Sequence, residues 1–255
     1  MVDPQLLLSR LDEIGRSLSQ TPNALALIGL GSVGQELDRL DEYSDLDFFA
    51  IVRTGCQPKF LEDLSWLTDI APVTYYFQNT RDGFKLLYED GVFCEFAVFE
   101  EPDLAGAAFT PGRVVWKVED ISESIATPQK QAPPDEPRPL EWILGEALTN
   151  LYIGLLRDRR GEKLTAMRFI QSHAADRALE LVERIETAAP AHVDQYTIDR
   201  RFEQRFPNTS KKIPNFFQGY EKNWESAAAI LAFLDENFEI NSGMKQVIKN
   251  LCRIA

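Results

Sequence analysis

The chain has 255 residues, which is long enough for one large domain or two small ones, each with a core of its own. It carries 27 basic and 40 acidic residues, so its net charge is −13, and its basic residues form no large cluster. A protein that binds long nucleic acids normally presents a basic patch, so we expect no nucleic-acid partner.

The N-terminus lacks the features of a signal peptide. The apolar run at residues 6–8 is short, lies between acidic residues and has no basic start. No apolar stretch approaches the length of a membrane span, so we expect no membrane partner. Cys56, Cys94 and Cys252 are widely spaced without a metal-ligand pattern, which favours reduced thiols and argues against zinc. These features together predict a cytoplasmic protein.

The first half of the chain alternates between helices and strands. Apolar residues at helical spacing predict a helix over residues 4–19, which ends at Pro22-Asn23. Asp90-Gly91 is a strong hairpin-turn signal between two apolar runs. In chain order we predict strand 24–30, a helix near 33–40, strand 46–53, helix 58–68, strand 72–78, hairpin 84–99 and strand 114–118. These elements predict a mixed α/β sheet.

The second half of the chain is predicted to be helical. Five prolines between residues 128 and 139 predict an extended linker. Beyond it, apolar residues at helical spacing form stripes over 140–155, 164–185 and 224–234, which we expect to form the core of a helical bundle. The predicted fold class is α+β, with an N-terminal mixed-sheet domain over 1–127, a proline-rich linker over 128–139 and a helical domain over 140–255.

A glycine–serine pair and two carboxylates follow one another in the first half. Strand 24–30 leads into Gly31-Ser32, and the next strand begins at Asp45-Leu46-Asp47. Side chains two apart on a strand point to the same face, so we expect Asp45 and Asp47 to converge. Converging carboxylates repel each other unless a proton or a cation lies between them, and such oxygen ligands suit Mg²⁺ together with substrate phosphates. The passage predicts a site for a metal-bound nucleoside triphosphate, although each motif alone is also typical of a solvated turn.

A third acid follows in the predicted hairpin. Glu95 is the only charged residue in the eight-residue apolar run Val92 to Phe99. Burying an isolated carboxylate is costly, so such a residue is commonly paired, metal-bound or catalytic. The alternative is a glutamate on an edge strand that points to water. We interpret Glu95 as the third acid of the site.

These residues resemble the nucleotidyltransferase superfamily that includes DNA polymerase beta. Gly31-Ser32 is followed by Ser44-Asp45-Leu46-Asp47-Phe48, and a later acid lies on a neighbouring strand. Within that superfamily the chain is most similar to the lincosamide and aminoglycoside nucleotidyltransferases, which attach a nucleoside monophosphate to antibiotics. The lincosamide branch is similar in the strand from Asp90 to Phe96, in the segment from Gly161 to Arg168 and in Arg200-Arg201-Phe202-Glu203.

The resemblance implies an enzyme that uses a nucleoside triphosphate and releases pyrophosphate. Asp45 and Asp47 would bind Mg²⁺, and Gly31 and Ser32 would hold the β- and γ-phosphates. Glu95 would accept the proton of an acceptor hydroxyl, or would serve as a further metal ligand.

The helical domain would bind the acceptor, a small hydroxyl-bearing molecule. Lys163 and Arg168 would reach the triphosphate from this domain, unless they are ordinary solvated helix charges. Many members of the family carry a basic residue shortly after Gly-Ser, where this chain has none, so Arg39 is the candidate for that contact. The oligomeric state stays open, although the resemblance favours a homodimer. The alternatives are a non-catalytic nucleotide-binding protein of this fold and a protein-modifying enzyme of the toxin–antitoxin type.

Overall fold

The structure is a computed structural model that describes residues 2–130, 138–191, 193 and 199–253. The chain divides into two compact units, one up to residue 133 and one from residue 134. The first unit is built on a mixed sheet and the second is helical, which confirms the predicted α+β class. The predicted linker over 128–139 lies largely outside the described residues, so the proposed domain boundaries stay a prediction. Within the described ranges, no helix combines the length and the apolar character needed to cross a membrane.

The first unit contains a six-stranded sheet with three helices in its described part. The helices are α1 (Pro4–Gln20), α2 (Gln57–Glu62) and α3 (Ser65–Thr68). The strands are β1 (Ala24–Gly29), β2 (Leu46–Val52), β3 (Val73–Gln78), β4 (Gly83–Tyr88), β5 (Phe93–Glu100) and β6 (Arg113–Lys117). Their order in the sheet is β3-β4-β5-β2-β1-β6, and the central pair β2–β5 is parallel while the other pairs are antiparallel. The predicted mixed sheet and its hairpin are confirmed.

Alternation along β2 divides its side chains between the two faces of the sheet. Phe49 and Ile51 belong to a smaller core on one face. The other face of β2 is buried in the larger core, to which α1 contributes residues at helical spacing: Leu46, Phe48 and Ala50 from β2, and Leu7, Leu11, Ile14 and Leu18 from α1. The odd-numbered positions of β2, which include Asp47, therefore point away from α1.

A buried arginine fixes α1 to the β4–β5 hairpin. Arg10 is 5% exposed and donates hydrogen bonds to Asp90 Oδ2 at 2.6 Å and to Glu13 Oε2 at 2.9 Å. Its guanidinium carbon lies 4.3 Å from the centre of the Tyr88 ring. A charge that is paired and stacked in this way can be buried at tolerable cost. Asp90, predicted only as a turn residue, thus also anchors the first helix.

Two predicted helices of the first unit differ from the structure. The helix predicted near 33–40 is replaced by two short 3₁₀ turns, Gly31–Val33 and Leu37–Arg39. A Cβ at Gly34 would lie 2.8 Å from the Gly29 carbonyl oxygen, so the chain folds back too closely for a regular helix. The helix predicted over 58–68 is interrupted at Asp63, whose extended backbone lets its carboxylate accept a hydrogen bond from the Ser65 N–H at 2.9 Å.

The second unit is a bundle of helices around one core, as predicted. Its helices are α4 (Leu140–Arg159), α5 (Lys163–Arg168), α6 (Ala175–Glu180), α7 (Phe202–Arg205), α8 (Asn223–Asn237) and α9 (Ser242–Arg253). A π-helical segment, Phe169–Ala174, joins α5 to α6. The core takes its apolar side chains from α4, the π-helical segment, α6, α8 and α9.

Part of the predicted stripe over 164–185 is not core. Leu164 is 52% exposed and Ile185 is 38% exposed, whereas Ile170, Ala174 and Ala178 are fully buried. A π-helical turn contains more residues than an α-helical turn. Positions before and after this segment therefore no longer share the face that a 3.6-residue period predicts. Helix α9 was not predicted from the sequence.

A buried amide network locks α8 to the segments around α5. Asn223 is 1% exposed, and its amide nitrogen donates to Asp158 Oδ1 at 2.9 Å and to the Lys163 carbonyl oxygen at 3.2 Å. Its amide oxygen accepts from Gln171 Nε2 at 2.9 Å. Gln171 is 7% exposed and also bonds to both backbone groups of Gly219. Loss of the central amide would leave several buried polar groups without partners.

We expect Asn223→Ala to lower the free energy of unfolding of the helical unit by about 2–4 kcal/mol, because buried groups lose their hydrogen bonds. Thermal or urea unfolding measures this change. Asn150→Ala is the matched control, since Asn150 makes one side-chain bond, to the Glu146 carbonyl at 2.8 Å, near the surface of α4. An Asn223→Ala protein as stable as this control would contradict the network's importance.

Candidate active site

The turn after β1 is held against the start of β2. The Leu30 N–H donates to the Asp47 carbonyl oxygen at 2.8 Å, which continues the pairing of the two strands into the turn. Gly31 begins the 3₁₀ turn with a φ of 52°, the left-handed region in which a side chain is strained. Ser32 follows and is 6% exposed. The predicted glycine–serine turn is therefore present and lies beside β2.

Gly31 lies close to the carboxylate of Asp47. A Cβ built on Gly31 would be 3.7 Å from Asp47 Oδ2 and 3.4 Å from Arg39 Nη2. The side of the turn that carries no side chain thus faces one acid and one guanidinium. Because Gly31 has no side chain, a ligand such as a phosphate group could approach the backbone of the turn closely.

Basic side chains reach this turn from two segments. Arg113 of β6 donates from Nη2 to the Val33 carbonyl oxygen at 3.1 Å, and the guanidinium of Arg39 lies beside Gly31. Arg39 Nε donates to Glu36 Oε2 at 2.6 Å, and both side chains are partly buried. The ion pair holds the guanidinium beside Gly31, so Gly31 and Arg39, two of the residues that the sequence proposed for phosphate contact, lie close together.

Asp45 and Asp47 are positioned by the start of β2. Asp45 precedes the first residue of the strand, Asp47 is the second residue within it, and both are partly buried. Leu46 and Phe48, the neighbours of Asp47, are fully buried on the opposite face. The alternation of the strand therefore places Asp47 on the face away from α1, and the two-residue spacing directs Asp45 to the same face.

Glu95 is the register partner of Asp47. The parallel ladder pairs Asp47 with Glu95 across β2 and β5, and paired residues share a face of the sheet. Strands are about 4.8 Å apart, so the two acids occupy adjacent positions. The interpretation of Glu95 as a third acid near the pair thus remains compatible with the structure.

The surroundings of Glu95 differ from those predicted. Its side chain is 44% exposed, and Lys85 Nζ lies 3.0 Å from Glu95 Oε2. Asn79 Nδ2 donates to the other carboxylate oxygen at 3.3 Å. The apolar run suggested a buried carboxylate, whereas Glu95 is partly exposed. Its pairing with Lys85 is one of the outcomes expected for an acid in such a run, but the run itself does not reveal the lysine opposite on β4. The edge-strand alternative was wrong, since β5 lies inside the sheet.

The pKa of the Cys94 thiol is affected by its burial and by the charges of Asp45 and Asp47. Burial raises the pKa of the Cys94 thiol, and the charges of Asp45 and Asp47 raise it further. Arg10 opposes this effect. Cys94 is paired with Leu46 in the ladder and is fully buried. The residue behaves as the small core side chain that the sequence predicted, in the protonated form.

The donor set at this site suits a hard cation with few protein ligands. Within the described residues, no three or more His, Cys, Asp or Glu side chains are grouped to hold a metal ion. Asp45 and Asp47 remain as two neighbouring carboxylates, which is the number of protein ligands that Mg²⁺ commonly takes when substrate phosphates complete its shell. Glu95 is bonded to Lys85 and Asn79.

Lys163 and Arg168 lie at the two ends of α5 in the second unit. Lys163 forms an ion pair with Glu221, which raises the pKa of its ammonium group, and lies 5.9 Å from the centre of the Tyr220 ring. Arg168 is exposed. Their predicted contact with a nucleotide stays a prediction.

Sequence reasoning missed Lys85 and Asn79, which hold Glu95, and Gly29, which shapes the turn. A Cβ at Gly29 would lie 2.7 Å from the Val33 carbonyl oxygen, so a glycine is required there. The hairpin signal alone does not place Lys85 opposite Glu95, because a two-residue turn at Asp90-Gly91 would pair Lys85 with Phe96. The loop has a third residue, since the Tyr88 N–H donates to the Val92 carbonyl oxygen at 3.0 Å.

No protein-family model matches the chain, and no curated protein matches it. Among solved structures it is similar to an aminoglycoside 6-adenyltransferase from Bacillus subtilis, with 13% identity over 98% of this chain and 92% of that one and a TM-score of 0.36. It is also similar to a nucleotidyltransferase-like protein from Exiguobacterium sibiricum, with 13% identity, coverage of 88% and 74%, and a TM-score of 0.35. A third is the STING-associated CdnE c-di-GMP synthase from Capnocytophaga granulosa, with 10% identity, coverage of 98% and 78%, and a TM-score of 0.32.

All three TM-scores are below 0.5, so the function proposed below rests on the residues of this chain.

We expect Gly31→Ala to lower the free energy of unfolding by about 1–3 kcal/mol, because alanine is strained at a φ of 52°. Gly55→Ala is the control, since Gly55 has a φ of 79° and a Cβ there would meet nothing within 4 Å. Urea unfolding of both variants should give similar losses. A much larger loss for Gly31→Ala would show that packing against Asp47 and Arg39, and not the backbone alone, requires the glycine.

Proposed function

We propose that the chain is a Mg²⁺-dependent nucleotidyltransferase that moves a nucleoside monophosphate from a nucleoside triphosphate to a hydroxyl of a small molecule. One observation carries the proposal: Asp47 has Glu95 as its register partner on one side and the left-handed Gly31 turn on the other. In this proposal a glycine turn that binds phosphate, an acid that binds Mg²⁺ and an acid that accepts a proton would follow one another across the sheet.

The triphosphate would bind at the turn. Backbone N–H groups around Gly31 and the guanidinium of Arg39 would contact its β- and γ-phosphates, with the Ser32 hydroxyl beside them. Since Ser32 is 6% exposed, the backbone would supply most of this contact. Lys163 and Arg168 are proposed to add charge from the second unit, for which Lys163 would exchange its pairing with Glu221.

Asp45 and Asp47 would hold Mg²⁺, which neutralises charge on the phosphates when bound. The donor chemistry fits, because two carboxylates with no histidine or thiolate suit a hard cation. In the same proposal Glu95 acts as the proton acceptor and not as a metal ligand, because its oxygens already face Lys85 and Asn79.

In the proposed transfer step, each bond that forms or breaks and the proton that moves can be assigned to these groups. The acceptor oxygen attacks the α-phosphorus and forms a new P–O bond, while the bond from the α-phosphorus to its bridging oxygen breaks and pyrophosphate leaves. The hydroxyl proton passes to the Glu95 carboxylate. Lys85 Nζ, 3.0 Å from Glu95 Oε2, would hold this carboxylate in position to accept the proton.

The proposed acceptor is a lincosamide- or aminoglycoside-type antibiotic, which would make the chain a resistance enzyme. The net charge of −13 supports a cationic acceptor, because an acidic surface attracts cations and repels long nucleic acids. The proposal also includes a cytoplasmic location and a homodimer.

The direct test measures pyrophosphate release from each of the four nucleoside triphosphates with Mg²⁺ and a panel of lincosamides and aminoglycosides. Release that requires both Mg²⁺ and one antibiotic would establish the reaction and the acceptor class. Tight binding of the Mg²⁺–triphosphate without release would move the search to other hydroxyl compounds and to proteins. Absence of triphosphate binding would contradict the proposal.

Removing either aspartate charge should abolish transfer without harming the fold. We expect Asp45→Asn and Asp47→Asn each to lower kcat roughly thousandfold, which corresponds to about 4 kcal/mol of transition-state stabilisation. Without Mg²⁺ the variants should be as stable as the parent or up to about 1 kcal/mol more stable, because repulsion between the acids is relieved. Asp12→Asn, at an exposed position of α1, controls for the change in net charge. Unchanged turnover in either site variant would exclude the metal assignment.

Replacing the proposed proton acceptor should separate catalysis from binding. We expect Glu95→Gln to lower kcat by roughly 10²–10⁴-fold and to change the Kd of the Mg²⁺–triphosphate by less than about threefold. Glu89→Gln is the control, since Glu89 is exposed beyond the end of β4. If Glu95→Gln instead abolished Mg²⁺-dependent triphosphate binding, Glu95 would be a metal ligand.

A further inference from the structure

Among the described residues, strand β3 is an edge strand without the usual protection. It is bonded to β4 alone in the sheet, and its sequence, Val-Thr-Tyr-Tyr-Phe-Gln, contains no charge and no proline. Tyr75 and Tyr76 are each 55% exposed and Phe77 is 42% exposed, so aromatic surface is open on both faces. Natural proteins normally protect such an edge with charges, prolines or a covering segment, because an open apolar edge pairs with other strands.

The free edge can be assigned residue by residue. The Asn79 N–H donates to the Gly83 carbonyl oxygen at 3.1 Å, in the same register as the β3–β4 ladder. Along an antiparallel edge strand, the backbone N–H and C=O groups of successive residues alternate between the neighbouring strand and the free edge. The backbone of Phe77 therefore bonds to β4, whereas the backbone groups of Tyr76 and Gln78 point to the free edge. In the described part of this unit, no hydrogen bond outside the β3–β4 ladder reaches the backbone of Tyr76.

A second copy of β3 is complementary to this edge. When two antiparallel copies are centred on Tyr76, the outward N–H and C=O groups of one Tyr76 face those of the other. Tyr75 of each copy then lies opposite Phe77 of the other, and these two residues share the face of the sheet that carries Lys85 and Glu95. Aromatic cross-strand pairs of this kind stabilise antiparallel strands.

Two further constraints are consistent with the register centred on Tyr76. A shift by one residue would place Tyr76 opposite a side chain of the wrong face. If the pair were centred on Tyr75, the paired residues would include the segment between Val73 and Tyr75, where the β3–β4 register changes. The register centred on Tyr76 keeps its central pairs clear of that irregularity.

Charge favours a second copy as the occupant. The chain carries a net charge of −13, so most surfaces of two copies repel each other. The six residues of β3 are uncharged, so pairing through this edge brings no like charges directly opposite each other.

We infer that β3 of one copy pairs with β3 of a second copy about a two-fold axis at Tyr76, joining the two sheets into one. This inference specifies the surface of the proposed homodimer and does not depend on catalysis. A single pair of strands buries less than the roughly 1,200 Å² of a standard interface, so the dimer is weak and depends on concentration.

Sedimentation equilibrium between roughly 1 and 200 μM, a range chosen for a weak interface, tests the pairing. We expect a reversible equilibrium between the 29.0 kDa chain and a species of twice that mass. Tyr76→Lys should raise the dimer Kd at least about tenfold, because two ammonium groups would face each other at the axis. Tyr43→Lys is the matched control, since Tyr43 is 76% exposed and lies outside β3. Circular dichroism and thermal unfolding confirm that both variants fold.

Disulfide formation tests the register. In a Cys56→Ser background, Tyr76→Cys should oxidise to a covalent dimer at least roughly ten times faster than Tyr43→Cys, because facing residues of a hydrogen-bonded pair have Cα atoms about 5.5 Å apart, within disulfide range. A monomer at all concentrations, a dimer insensitive to Tyr76→Lys, larger open assemblies or equal rates of cross-linking would each overturn the inference. Pyrophosphate release, measured separately, reports on the proposed function alone.

Discussion

The parallel pairing of β2 with β5 is the constraint on which the candidate site depends. Register along this ladder is set on its apolar side, where Phe48 and Phe96 are partners and their rings stack with centres 5.2 Å apart. Trp66 packs edge-on against Phe96. Since a slip of one residue would turn this aromatic cluster to the other face, packing determines which residues stand opposite each other. Asp47 and Glu95 are adjacent because the core behind them accepts no other register.

The same arrangement shows how the sheet tolerates several charges near its centre. Lys85 faces Glu95 from β4, and Arg39 lies beside the turn that contacts Asp47. Glu95 and Arg39 on this part of the sheet therefore each lie within 3.0 Å of an opposite charge. Partial exposure lowers the cost further, because water still solvates the carboxylates. The site needs no deep burial to hold its acids in place.

Local patterns predicted much of this architecture and of the site. Alternation and turn chemistry placed β1, β2 and the β4–β5 hairpin within one or two residues of their observed bounds. The expectation that Asp45 and Asp47 share a face rested only on the two-residue period of a strand. The predicted roles of these residues and of Glu95 stay predictions, because they concern ligands and not the chain alone.

Non-local features could not be predicted in the same way. Nothing in the sequence of β2 specifies β5 as its parallel neighbour, and the apolar run around Glu95 concealed Lys85 on another strand. The helix near 33–40 failed because close contact between Gly29 and Gly34 decides the backbone there. In the second unit, the π-helical segment changed the period on which the stripe depended, and Asn223 looked like an ordinary polar helix residue.

The position of Cys94 has a consequence for metal selectivity. Its thiol stands next to Glu95 in sequence but belongs to the opposite face, where burial raises its pKa and keeps it protonated. A neutral thiol that points into the core is not available as a soft ligand. Thiophilic cations such as Cd²⁺ and Hg²⁺ therefore gain no sulfur donor from the strand that carries Glu95, and the exposed face offers oxygen atoms to hard cations.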